Sequence, residues 1–241
     1  MARSKHWREE LVAQAPSLRT AFEHLSKERD PESSGYALQL ASVCAQYNIV
    51  PNFDVSQVGK QMPADIWPHY HAAQKVLSSR CASFAANPAE MVDILRKARS
   101  TADKADMPAK KLLELHKALG ADKEINGAYL NDFLAHLSPR LIAEAGPLYH
   151  YADVKSGFAE PGDASLWQLA AVLATCSLGN DCSRESYFST TSCIGLGYCS
   201  SSGLEGFLAN GVQLTHAQRE VVSRAAGRIV LRYKSREGRG T

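Results

Sequence analysis

Six cysteines are the residues of this chain best suited to chemistry: Cys44, Cys81, Cys176, Cys182, Cys193 and Cys199. The last four form a symmetric frame, Cys-x5-Cys-x10-Cys-x5-Cys, within a segment rich in Ser, Thr and Gly. A zinc site built on cysteine wants Cys-x2-4-Cys pairs with a further Cys or His close by. Here both inner spacings are five, and His216 is the nearest histidine after Cys199. A thiol-redox centre wants Cys-x-x-Cys and a haem attachment Cys-x-x-Cys-His, and the chain has neither. An even count without these spacings points to disulfides, and disulfides point to a compartment outside the reducing cytosol. No metal and no cofactor is expected.

The connectivity stays open at this stage, since six cysteines allow fifteen pairings. Cys44 and Cys81 fall on apolar faces of two helical segments separated by a loop. A bridge there would staple an antiparallel hairpin; two buried thiols is the other reading. The other four could pair locally, Cys176 with Cys182 and Cys193 with Cys199. They could also pair crosswise, Cys176 with Cys193 and Cys182 with Cys199.

The remaining chemistry-bearing residues are scattered. His69 and His71 flank Tyr70, and two residues apart on a helix they face different ways. His116, His136 and His150 fall on separate helical segments. Gly195 and Gly197 do not complete a phosphate-binding Gly-x-Gly-x-x-Gly, and no Gly-x-Ser-x-Gly elbow, P-loop or His-Glu-x-x-His is present. Asp181 and Glu185 are indistinguishable from ordinary helix-end charges.

The elements that must position these residues are helices. Ala and Leu dominate over Val and Ile, and apolar residues recur at three and four positions rather than alternating. Trp7, Leu11, Leu18, Phe22 and Leu25 make one stripe, with Asp30–Gly35 read as its breaker. A run from Tyr36 to Tyr47 follows, then a loop around Pro51 and Asn52. The next segment starts near Asp65 and runs to Phe84. Asn87-Pro88-Ala89-Glu90 is a helix start, with Asn as cap, Pro at the first helical position and Glu90 closing a capping box. Further helices are expected from Pro108 to Gly120, over Ile125–Leu137, from Ser138-Pro139 toward Gly146, and around Tyr149–Val154. Two more run over Leu166–Cys176 behind an Asp163 cap, and from Thr215 onward with Gln218 as its box partner. The expected fold is all-α, about ten helices in stacked, disulfide-linked hairpins. The loop Ser156–Asp163 divides the chain into a helical-hairpin region, 1–155, and a Cys-containing helical region, 156–241, packed as one unit.

Composition narrows the function classes. The chain has 241 residues with 45% hydrophobic and 22% charged, ample for a core that does not depend on bridges to fold. Net charge is +2, from 27 basic and 25 acidic residues, which gives no case for a nucleic-acid partner. Arg219, Arg224, Arg228, Arg232, Lys234, Arg236 and Arg239 concentrate at the C-terminus, where cations favour a helix dipole; an anionic surface or partner is the other reading. No stretch approaches the roughly 20 apolar residues of a membrane span. The N-terminus, MARSKHWREELV, lacks the apolar core of a signal peptide, so an exported chain is expected to have lost its leader.

The cysteine segment resembles that of uncharacterised all-helical bacterial proteins exported to the periplasm or beyond. The resemblance rests on Trp167, Leu169, Ala170, Ala171, Cys176, Leu178, Gly179, Asp181 and Cys182, followed by Cys193, Gly197 and Cys199. The helix pairs upstream distantly resemble Sel1 or tetratricopeptide hairpins. This implies a helical fold and an extracytoplasmic compartment; it carries no active site. The expected function is a non-enzymatic scaffold that binds a protein or peptide partner, since stacked hairpins offer grooves. Two other functions stay open: a secreted hydrolase or lytic effector with dispersed His, Asp and Glu assembled in space, and a carrier of a small molecule or lipid.

Overall fold

The computed structural model describes residues 7–28, 30–49, 63–160, 163–210 and 214–237. The loop around Pro51 and Asn52, the side chain of Arg236 and all of Arg239 lie outside the described residues. Every regular element among the described residues is a helix. The chain forms two compact units: residues 1–107 with 181–210, and residues 108–180 with 211–241. The units are interleaved along the chain, and the loop at 156–163 falls inside the second rather than between them.

The first unit begins with α1 (Trp7–Gln14) and α2 (Leu18–Leu25). The stripe from Trp7 to Leu25 is therefore two helices, not one. Pro16 interrupts it, and Ser17 caps the second by accepting from the Thr20 amide. The segment Asp30–Gly35, expected to break a helix, starts one instead: α3 runs Pro31–Ile49. Asp30 accepts from the Ser33 amide at 2.9 Å, and Pro31 takes the first helical position, where no amide is needed. α4 (Trp67–Cys81) and α5 (Pro88–Ala105) follow. Asn87 accepts from the Glu90 amide at 2.9 Å, so the expected cap forms; Glu90 returns to the Ala86 amide, one residue before the cap, rather than to the Asn87 amide of a strict capping box. α3 packs on α2, α4 and α5. Leu18, Leu25, Leu40, Leu77, Phe84 and Met91 are fully buried between them. α11 (Tyr187–Leu196) lies on α4, and α12 (Gly203–Asn210) on α11.

The second unit holds α6 (Met107–Gly120, its first residue in the other unit), α7 (Gly127–Ala135), α8 (Pro139–Ile142), α9 (Gly146–Lys155), α10 (Ala164–Ser177) and α13 (His216–Glu237). α10 is its axis. Eight consecutive-to-near-consecutive residues, Trp167 and Leu169–Thr175, are buried, as a helix wrapped on several sides requires. α8, α9 and α13 all pack on it. Gly146 permits the α9 contact, because a Cβ there would meet the Gln168 Cα at 2.5 Å. The expected Asp163 cap does not form a side-chain hydrogen bond. At α13, Thr215 and Gln218 cap each other reciprocally, at 2.9 and 3.2 Å.

Candidate functional site

All six cysteines are disulfide-bonded, in three bridges. Cys44 on α3 joins Cys81 at the end of α4, with Cα atoms 5.2 Å apart. The hairpin staple is thus formed, and the alternative of two buried thiols is excluded. Asn48 reinforces it by donating to the Cys44 and Cys81 carbonyls at 2.9 and 3.1 Å. Cys193 joins Cys199, which rules out crosswise pairing in the C-terminal frame. Cys176 and Cys182 are each disulfide-bonded as well. Gly197 makes the short Cys193–Cys199 loop possible. It ends α11 at φ 76°, in the left-handed region glycine enters freely.

The histidines singled out in the sequence each make their own local contacts. His116 Nε2 donates to the Glu144 carbonyl at 3.0 Å, and burial holds its pKa below the usual 6.5 against that bond. His136 contacts the Asp132 carbonyl at 2.7 Å on its own helix. His71 lies beside Trp67, with ring centroids 5.7 Å apart. No three His, Cys, Asp or Glu side chains are grouped to hold a metal among the described residues.

His69 does line a pocket of the first unit, with Arg184, Glu185, Ser189 and Tyr198. A His, a Glu and a Ser in one recess invite comparison with nucleophilic catalysis. The Ser189 hydroxyl is already committed. It donates to the Cys182 carbonyl at 2.8 Å and accepts from the Leu204 amide at 3.4 Å, and the residue is 4% exposed. The recess is about 40 Å³, room for little more than water.

The larger opening belongs to the second unit. A cleft of about 320 Å³ lies between the turn after α9 and the middle of α13. Gly157, Phe158, Glu160 and Asp163 form one wall, Val221, Arg224, Ala225 and Arg228 the other, and Trp167 of α10 the floor. Its size is at the lower end of the roughly 300–1,000 Å³ typical of ligand sites. Trp167 is 2% exposed, whereas Phe158 is 64% exposed, an aromatic ring held out in solvent.

The walls are fixed from beneath. His150 on α9 donates from Nε2 to the Glu160 carbonyl at 2.8 Å, and its ring lies 6.1 Å from Trp167. The Phe158 amide donates to the Asp153 carbonyl at 2.7 Å. Opposite, Asp153 is the anchor of α13. Its carboxylate, 1% exposed, accepts from Arg228 Nε at 2.5 Å and from Arg232 Nη2 at 2.8 Å. A buried carboxylate is tolerable only with such partners. Arg232 also lies over the Tyr149 ring at 5.6 Å, and the Tyr149 hydroxyl donates to the Leu134 carbonyl at 2.9 Å. Arg228 lies over Phe158 with its guanidinium carbon 3.9 Å from the ring centroid, a cation–π contact that holds the exposed ring in place.

From sequence alone this arginine row reads as helix-dipole compensation or as contact with an unspecified anionic surface or partner, and Phe158 as part of a loop. The available signal was the i, i+4, i+8 spacing of Arg224, Arg228 and Arg232, which puts three guanidiniums on one face of α13. Asp153, their buried partner, carries no local mark. No protein-family model, curated protein or solved structure matches this chain.

Proposed function

We propose that this protein is a disulfide-stabilised, extracytoplasmic helical binding module whose ligand is a peptide or a segment of a partner protein, held in the cleft of the second unit. The observation that carries the reading is the cleft itself: a rigidly backed recess with an exposed aromatic ring on one wall and guanidinium groups on the other. Exposed aromatic residues and arginines are the side chains that concentrate binding energy at protein interfaces. The recess is open and its walls are charged, which suits a polar peptide better than a lipid chain. Three bridges support the compartment, since cytosolic thiols are kept reduced.

The test is a peptide array, probed with the oxidised full chain. It carries tiled internal segments and free C-terminal ends. Amide exchange of the bound complex then reports the site. Protection of residues 157–160 and of α13 between Val221 and Arg228 is expected. An array without binders, or protection confined to other surfaces, overturns the reading.

A further inference from the structure

The hydrogen-bonding inventory of the cleft restricts its ligand further, on the premise that the cleft binds peptide. Arg228 spends only Nε on Asp153, and stacking on Phe158 fixes its plane. Its Nη groups donate to no acceptor among the described residues. Arg224 sits one turn away on the same face, and its contact with Glu220 is 3.8 Å, an ion pair too long for a hydrogen bond. Two guanidinium forks thus edge one recess with donors to spare, although each already has a carboxylate of the chain, Asp153 or Glu220, beside it. A carboxylate matches that pair bidentately. Across the cleft, Glu160 and Asp163 make no ion pair with the described residues, so that wall favours a cation. Phe158 on one wall and Val221 on the other supply apolar surface.

We infer that the cleft takes the free C-terminal end of a peptide. Its α-carboxylate lies between Arg224 and Arg228, its apolar or aromatic last side chain against Phe158 and Val221, and a basic penultimate side chain toward Glu160 and Asp163. The small volume favours a chain end over a segment that must enter and leave.

The probe is acetyl-Gly-Lys-Phe as the free acid and as the C-terminal amide, titrated into the oxidised full chain. Calorimetry gives the affinity, and the arginine Nε–H resonances give the site. The free acid is expected to shift the Arg224 and Arg228 signals and to bind at least about tenfold more tightly than the amide. Arg224→Gln, at an exposed position that leaves the Asp153 cluster intact, should remove that difference. Phe158→Ala should weaken acid and amide alike. Equal affinity of acid and amide, no binding of either, unmoved arginine signals, or an unchanged preference in Arg224→Gln each overturn the inference. The broader peptide reading falls only with the array.

Discussion

The two units of this chain hold themselves together by different means. The first is stapled covalently: Cys44–Cys81 ties α3 to α4, and Cys193–Cys199 ties the end of α11 to the strand of chain beyond it. Within the second unit the tie between α9 and α13 is electrostatic, one buried carboxylate shared by two arginines. A disulfide acts mainly by restricting the unfolded chain and is indifferent to salt. A buried ion cluster acts in the folded state and leaves an uncompensated charge when one member is lost. The second kind also leaves spare donors at its edge. The cleft lies there, on the arginine that the cluster holds in position.

The sharpest way to break this comparison is to remove the longer staple. Replacing Cys44 and Cys81 by Ala should cost the first unit about 4 kcal/mol, from the entropy of a 37-residue separation. Hydrogen exchange should show lost protection in α3 and α4, with α9 and α13 unchanged. Asp153→Ala is the mirror experiment. It should cost the second unit about 3 kcal/mol, with protection lost in α9 and α13 alone. Equal losses in both units from either variant would show that they do not unfold separately.

Gly203→Ala comes next, in the first unit. Its φ of 72° and the 2.4 Å approach of a built Cβ to the Cys182 carbonyl predict a loss of about 2 kcal/mol by thermal unfolding. Wild-type stability in this variant would mean that the turn before α12 relaxes.

The smallest effect is in pH. His116, in the second unit, titrates below 6.5 when folded because burial disfavours its charged form. Its contribution is complete above 6.5 and is lost as pH falls through the folded value, since the unfolded chain then binds the extra proton. Asp30 is in the first unit. Burial alone would raise its pKa, but bonds from Ser33 and the charge of Arg8 at 2.7 Å outweigh it and hold the carboxyl below 3.8. Its contribution is present above 3.8 and is lost only as pH falls through the lower folded value. Acidification from neutrality toward pH 4 should therefore loosen α6 in the second unit before α3 in the first. His116→Gln should abolish the early step, as amide exchange across the pH series would show.

The helices were legible because their signals are local. Asn87-Pro88-Ala89-Glu90 and Thr215 with Gln218 cap the helices they were expected to cap, since a cap needs only a side chain three residues from an amide. The misreadings were local too. Asp30-Pro31 has the same cap-then-proline grammar as Asn87-Pro88, but the Ser and Gly around it make it read as a breaker. The site was less legible. Arginines at 224, 228 and 232 fit a helix-dipole account without remainder, and nothing near Asp153 in sequence marks it as their partner.

By itself, the sequence determined the helical class, the positions of many helix ends and the absence of an apolar membrane-spanning run, because each follows from period, capping or spacing along the chain. The tertiary structure alone decided three things. It chose local over crosswise pairing at Cys193, interleaved the two units, and brought Asp153 to arginines more than seventy residues away. The physical reason is common to all three. Each depends on which helices pack together, and a buried charge or a sulfur finds its partner through that packing rather than through any pattern it carries.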